Sequence, residues 1–401
     1  MSEKHLSTEL IHTGDGRICR ELGASLSAPE TLPIYLTSVF AFDDVESADA
    51  VYEHESDGYI YSRMANPNAD AVSKIIASAD GTETALVFSS GMAAITTAIL
   101  SFVKTGDHIV ASNVLYGGVH DYLSNEVKRF GIETTFANFA KEDISKLIRP
   151  NTKIVYVETI SNPLMDVPDI AELAEAAHAN GALLFVDNTF ATPVVARPHS
   201  LGADVVLYSA TKYLGGHSDI VGGAASAKSS LIDEIKRYQV LYGSIMSPSD
   251  CWLLARSLRT LELRMKRHSS NAVAVADFLS AHPGVEKVFY PGLPDSPSHE
   301  AAKRQFLGGN FGGMLSVNLK GGARAASSLI KELDMIQFVP SLAGTATTVS
   351  YAIKTSHRHY HPEELDAIGI IPGQVRFSIG LEDVDDIVRD ISRALGKAQW
   401  I

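Results

Sequence analysis

The stretch Ala182 to Asp219, "ALLFVDNTFATPVVARPHSLGADVVLYSATKYLGGHSD", decides how the chain folds. It holds two apolar runs, "ALLFVD" (182–187) and "DVVLYS" (204–209). Runs this short, unbroken and rich in Val and Leu read as strands buried on both faces, as in a parallel sheet. Each run ends in chemistry: Asp187 closes the first, and Lys212 follows the second after Ser209, Ala210 and Thr211. In open α/β sheets ligands sit outside the carboxyl ends of the strands. Asp187 could there cap a helix, hold a metal or face a cationic ring nitrogen. Lys212 could be a loop lysine, a phosphate contact or a nucleophile.

The pattern extends both ways. Further strand candidates are 84–89, 107–112, 132–137 and 153–158, and helical candidates are 91–103, 117–130, 141–148 and 168–180. Alternation of this kind predicts an α/β fold, a mostly parallel sheet with helices on both faces. Upstream, residues 1–60 are broken by Gly14, Gly16, Gly23, Pro29 and Pro33 and read as an irregular arm. The arm is apolar in places ("LPIYLTSVFAF"), so it should pack on the body or on another subunit. Downstream, 247–281 reads as one long helix, with Ser247 as N-cap and Pro248 at the first position. Strands "KVFY", "GMLSVNL", "IQFVP" and "QVRFSIG" then mix with helices at 322–333, 362–367 and 383–396, a smaller α+β domain. The predicted division is an arm over 1–63, an α/β domain over 64–260 and a C-terminal domain over 261–401.

Composition narrows the function. The 401 residues carry a net charge of −13, which disfavours a nucleic-acid partner. The cysteines, Cys19 and Cys251, are far apart and suggest neither a disulfide framework nor a thiolate zinc site. "MSEKHLSTEL" lacks the apolar core of a signal peptide, and no run approaches the ~20 apolar residues of a membrane span. A cytoplasmic protein without a membrane partner is expected. No His or carboxylate cluster stands near Asp187 at ligand spacing, so no metal is expected. "SHRHYH" (356–361) resembles a metal site by composition only.

Two further pieces complete a set. In "FSSGMAA" (88–94) a strand runs into an apolar helix near Gly91, and a helix start with a glycine suits a phosphate. In "QVRFSIG" Arg376 sits among apolar neighbours, where its fork wants a carboxylate, structural or substrate. A phosphate cradle, a strand-end acid, a lysine and a distal arginine are the parts a pyridoxal phosphate enzyme uses.

The ordered motifs "YSRMANPN", "FSSGMAAI", "LYGG", "ETISNPLMDVPDI", "VDNTFATP", "SATKYLGGHSDIVGG" and "FGGMLSV" span almost the whole chain. With them the sequence resembles the trans-sulfuration, or Cys/Met metabolism, family of pyridoxal phosphate enzymes. That family includes methionine γ-lyase, cystathionine γ-lyase, cystathionine β-lyase, cystathionine γ-synthase and O-acetylhomoserine sulfhydrylase.

The resemblance implies a fold-type I transferase and pyridoxal 5'-phosphate as cofactor. It implies that Lys212 holds the cofactor and shuttles protons, and that Asp187 pairs with the pyridine nitrogen. Gly91, Met92, Ser209 and Thr211 would bind the phosphate, and Tyr61 and Arg63 would reach the phosphate of a neighbouring subunit. Tyr116 would stack on the ring and serve the leaving group. Asn162, Ser341 and Arg376 would position the substrate carboxylate and a cofactor oxygen. Ser356 and His357 match a Ser/Thr-His pair that binds no metal. The implied assembly is a homotetramer of two active-site dimers.

Departures bear on the substrate. Relatives that handle cystathionine carry an arginine shortly after the "YGG" tyrosine, where this chain has Asp121. Methionine γ-lyases carry a cysteine where Gly118 stands. Cystathionine γ-lyases carry a glutamate at the place of Pro340. An acid at 121 would repel a distal carboxylate, tolerate a thioether and attract a cationic tail such as that of canavanine, unless Asp121 is only a solvated helix position. The expected reaction is γ-elimination. Cystathionine γ-lyase, γ-replacement and a catalytically silent cofactor-binding protein are the alternatives.

Overall fold

The computed structural model describes residues 5–14, 29–139, 142–355, 358, 361, 363, 365 and 368–398. Its larger sheet has seven strands in the order β1-β7-β6-β5-β4-β2-β3. These are β1 (Thr84–Phe88), β2 (His108–Ser112), β3 (Glu133–Ala137), β4 (Thr152–Glu158), β5 (Leu183–Asp187), β6 (Val205–Tyr208) and β7 (Gly223–Ala227). β3 to β6 pair in parallel through β2, and β7 runs antiparallel to both β1 and β6. The six strands expected here form within a residue or two of their predicted bounds.

β7 was not foreseen. Its sequence, "GAASA", carries no β-branched or aromatic residue, the usual mark of a strand. Small side chains are what the place demands. A Cβ on Gly223 would fall 2.2 Å from the Ser90 carbonyl oxygen, so β7 lies directly under the start of the helix Gly91–Phe102.

Strand parity places the site. Along β4, Ile154 and Tyr156 join one apolar core and Val155 and Val157 the other. Along β5, Phe185 joins the first and Leu184 and Val186 the second. Side chains alternate across a sheet, so Glu158 and Asp187 project to the face that carries Phe185 and Tyr156. That face is covered by the helix Gly91–Phe102, whose Ala94, Ile95 and Ala98 belong to the same core. A fully buried side chain such as Ile99 there contributes about 1.5–3 kcal/mol.

Several expected helices are broken. The span 247–281 forms Pro248–Leu258 and Leu261–Ser280, with Thr260 off helical geometry at φ −110°, ψ 8°. Arg264 makes the break affordable in hydrogen bonds: it donates to the Ser257 carbonyl at 2.9 Å and to Thr260 Oγ1 at 3.2 Å. The N-cap holds as expected, Ser247 Oγ accepting from the Asp250 N–H. The span 117–130 becomes an α-turn (Gly117–Asp121), a π-turn (Tyr122–Glu126) and a 3₁₀ turn (Val127–Phe130). Of 141–148 only a 3₁₀ turn, Ile144–Lys146, forms among the described residues. Within the arm, Leu6–His12 and Val45–Tyr52 are helical, where no regular element was expected.

The smaller sheet has the order β10-β11-β12-β9-β8. Its strands are β8 (Val285–Phe289), β9 (Met314–Leu319), β10 (Gln337–Phe338), β11 (Thr348–Ser350) and β12 (Gln374–Ser378). All pairs are antiparallel except β10 with β11. Helices Gly322–Glu332 and Val384–Lys397 form at the expected positions. β11 was missed, being three residues long. Most of 362–367, together with Ser356 and His357, lies outside the described residues.

Candidate active site

The carboxyl ends of β4, β5 and β6 face β12 across a cavity of about 280 Å³. It brings together Gly91, Met92, Tyr116, Asn162, Asp187, Ser209, Thr211, Lys212, Ser341 and Arg376, ten of the fourteen residues singled out in the sequence.

Lys212 lies just past β6, and its Nζ donates to Ser341 Oγ at 3.0 Å. Burial, and then the charge of Arg376, lowers the pKa of its amine. Asp187 accepts the Thr189 N–H at 2.9 Å and the Tyr156 hydroxyl at 3.5 Å. Burial raises its pKa, and these two donors oppose the rise. Arg376 is buried on β12 and donates from Nη1 to Asn162 Oδ1 at 2.6 Å. Its Nε is buried and has no hydrogen-bond partner among the described residues. Burial lowers its pKa to about 10, against the pull of Tyr213 and Glu158.

At the other end of the cavity Ser90 N-caps the helix Gly91–Phe102, its Oγ accepting from the Ala93 N–H at 3.0 Å. The N–H groups of Gly91 and Met92 belong to the first turn, where no preceding helical carbonyl can serve them. Gly91 is a glycine for steric reasons: a Cβ there would sit 2.8 Å from Ser209 Cβ and 2.9 Å from Ser209 Oγ. Thr211 Oγ1 is shared with the backbone of Gly222, donating to its carbonyl at 3.2 Å and accepting its N–H at 3.0 Å. Tyr116 stands at the mouth, 46% exposed.

Four residues lie elsewhere in this chain. Tyr61 is exposed, and Arg63 reaches over its ring at 5.6 Å while donating to the Val240 carbonyl at 2.7 Å. Gly118 packs under Tyr116, where a Cβ would come 2.7 Å from the Tyr116 ring. Asp121 is exposed and accepts from Asn125 Nδ2 at 2.7 Å.

Sequence reasoning gave no role to Glu158, which lines the cavity beside Asp187 and is its register partner across β4 and β5. The signal was present, since "KIVYVE" ends in an acid just as "ALLFVD" does. Thr189 was also passed over. Besides serving Asp187, its Oγ1 accepts from the Ser209 N–H at 2.8 Å. Among the described residues no group of three or more His, Cys, Asp or Glu side chains is placed to hold a metal ion.

Residues 8–396 match the family model described as Cys/Met metabolism PLP-dependent enzyme. The chain is 43% identical to the L-methionine gamma-lyase of Porphyromonas gingivalis, over 90% of this chain and 92% of that one. It is 39% identical to the O-succinylhomoserine sulfhydrylase of Pseudomonas aeruginosa, over 90% of each chain. A cystathionine gamma-lyase from Lactobacillus plantarum, crystallised with L-serine, superposes with a TM-score of 0.90 at 34% identity, covering 99% of this chain and 100% of that one.

The cofactor of this family, pyridoxal phosphate, fits the residues present. The first turn at Gly91 and the hydroxyl of Ser209 could take a phosphate. The buried carboxylate of Asp187 could face a ring nitrogen, and the amine of Lys212 lines the same cavity. The chain belongs to the Cys/Met metabolism family of pyridoxal-phosphate-dependent enzymes.

Proposed function

We propose that the protein is a γ-lyase that eliminates the γ-substituent of an L-amino acid with a neutral, methionine-like side chain. One observation carries the choice of substrate. The only cations among the described lining residues are Lys212 and Arg376, and the apolar part of the wall is Met92, Ile95, Ile160, Phe190, Pro340 and Leu342. Arg376 is needed for the α-carboxylate, so a distal carboxylate such as that of cystathionine has no counter-charge. A thioether needs none. Asp121, the ground for a cationic tail such as that of canavanine, is bonded to Asn125 and is not part of this wall.

In this reading pyridoxal phosphate, when bound, supplies the electron sink that makes the substrate Cα–H acidic. Asp187 holds the ring nitrogen protonated. Lys212 anchors the cofactor; its amine, with a pKa lowered by burial and by Arg376, moves the protons at Cα and Cβ. Tyr116 carries a proton to the departing γ-group at the mouth. Arg376, steadied by Asn162, takes the carboxylate, with Ser341 beside it. Gly91, Met92, Ser209 and Thr211 bind the phosphate. Methionine and water would give methanethiol, ammonia and 2-oxobutanoate.

We infer a homotetramer working in the cytoplasm. Ile34, Leu36 and Val39 of the arm are exposed, Leu36 to 75%, and another subunit would cover them. Tyr61 and Arg63 would then serve the neighbour's phosphate. Sedimentation and subunit-mixing experiments test the assembly.

The decisive test offers the purified holoenzyme methionine, cystathionine, canavanine and O-acetylhomoserine with a thiol, and measures keto acid and the released group. Methionine should be preferred, with methanethiol and 2-oxobutanoate in equal amounts. Preference for cystathionine or canavanine would overturn the substrate reading. A replacement product with no keto acid would turn the reading to γ-replacement. Lys212→Ala should lose turnover and the visible cofactor band together. Activity surviving that change would remove the lysine from its role.

A further inference from the structure

Glu158 is a buried carboxylate at the centre of the site, and nothing in the mechanism above uses it. A carboxylate at the end of a buried strand needs donors. It finds them in two loops that carry site residues. Its Oε1 accepts the Tyr116 N–H at 2.6 Å. The backbone N–H of Asn162 also acts on the carboxylate. Asn162 in turn accepts from Arg376 at 2.6 Å. One side chain on β4 thus ties the loop after β2, which ends in Tyr116, to the turn that orients Arg376.

The other hydrogen bonds of Tyr116 are local: its carbonyl accepts the Val119 N–H at 2.9 Å and the His120 N–H at 3.0 Å. The residue lies just before a five-residue helical turn, its side chain makes no cap hydrogen bond, and its ring is half exposed. Gly118 leaves space under the ring without fixing it. The Glu158 bond thus ties the Tyr116 backbone to the end of β4, beside the buried Leu115 and Val119 that flank it.

We propose that Glu158 is a positioning residue for the elimination, holding Tyr116 at the leaving group and, through Asn162, Arg376 at the carboxylate. This rests on the reading of Tyr116 as the group that serves the leaving substituent. A misplacement of about 1 Å at a reacting group can cost on the order of 100-fold. Removing the tether should act on kcat through Tyr116 and on KM through Arg376.

The test is a double-mutant cycle on the holoenzyme, with kcat expressed per bound cofactor: Glu158→Ala, Glu158→Gln, Tyr116→Phe and the combinations. Glu158→Ala should lower kcat by roughly 10- to 100-fold, as expected for a misplaced group. Glu158→Gln keeps an acceptor for the Tyr116 N–H and should recover most of the loss. In the Tyr116→Phe background either change should alter kcat less than about twofold, as coupled residues require, while the rise in KM persists. Additive effects on kcat, or an alanine variant with unchanged kcat per cofactor, would overturn the proposal. If Glu158→Ala does not fold, Glu158→Met, close to glutamate in volume and without an acceptor for the Tyr116 N–H, takes its place in the cycle under the same criterion. The two readings fail separately. Full activity in Tyr116→Phe removes the role of Tyr116, whereas a crippled Tyr116→Phe with additive Glu158→Ala removes only the tether.

Discussion

Replacing Arg376 by lysine keeps a positive charge and removes the fork, and the structure says what each should do. Arg376 is 4% exposed, and its Nη1 serves Asn162 Oδ1 at 2.6 Å while its Nε points to no partner among the described residues. A guanidinium can therefore hold Asn162 and grip a carboxylate together, whereas an ammonium cannot match that planar geometry. Losing one charge-assisted hydrogen bond to the substrate costs about 1.5–3 kcal/mol, or about 10- to 150-fold in kcat/KM. The carboxylate is gripped equally before and during the reaction, so the loss should appear in KM and leave kcat nearly unchanged. Steady-state keto-acid formation from methionine measures it, and an alkylamine analogue lacking the carboxylate should inhibit both forms equally. Arg376→Met isolates the charge. Arg376 lowers the pKa of the Lys212 amine, so removing it should raise that pKa. Reattachment of cofactor to the apoenzyme needs the neutral amine, so its rate profile should move to higher pH in Arg376→Met and stay in place in Arg376→Lys. A kcat/KM within twofold of the parent in Arg376→Lys, or an unmoved profile in Arg376→Met, refutes the reasoning.

Two further outcomes follow from the same geometry. Gly91→Ala drives a methyl group to within 3.0 Å of Ser209 Cα and closer to its Cβ, so the helix start must shift away. An overpacking cost of about 1–3 kcal/mol should fall on the phosphate end, weakening cofactor affinity about 5- to 150-fold in a spectral titration; unchanged affinity would place the phosphate elsewhere. Asp80 is fully buried, accepts from the Tyr208 and Ser226 hydroxyls, and is pushed by burial to about 6. A folded pKa above the unfolded value of about 3.9 gives stability that is complete below about pH 4 and fades as pH rises through 6, on the order of 3 kcal/mol. The melting temperature of the parent minus that of Asp80→Asn should therefore shrink between pH 4 and pH 7, and a difference that grows with pH would reverse the sign argued for Asp80.

What could be read from the sequence was whatever leaves a local mark. β5 and β6 are short apolar runs, and their terminal chemistry, Asp187 and Lys212, followed from where such strands put ligands. β7 left no mark because its task is to be small under Ser90, a demand set by a helix 130 residues upstream in the chain. The break at Thr260 was equally silent, since no Pro or Gly marks it and the side chain of Arg264, just inside the next helix, takes the Ser257 carbonyl. Arg264 also donates to the Tyr213 carbonyl, just after Lys212, at 2.7 Å. Asp121 illustrates the reverse case: a charge beside a site motif, read for its possible effect on a substrate tail, accepts from Asn125 four residues on, a local contact the motif does not reveal.

The cavity's charges explain why such a site needs its ligands. Two acids enter from neighbouring strands of the large sheet, Glu158 and Asp187, and the two bases are Lys212 past β6 and Arg376 on the small sheet. Burial raises the pKa of both acids, Glu158 further because Asp187 stands beside it. Burial lowers the pKa of both bases. All four groups are thus pushed toward neutrality, the response of ionisable groups taken out of water. In the proposed reading a ring cation against Asp187 and a carboxylate on Arg376 would supply the missing counter-charges, so cofactor and substrate would each favour the ionised state of the residue they meet. Because Arg376 sits on the other sheet, a substrate carboxylate held there would couple recognition to the spacing of the two sheets. Asn162 is where that coupling would pass: it leaves the large sheet just after β4, takes Arg376 at 2.6 Å, and shares with Tyr116 the carboxylate of Glu158.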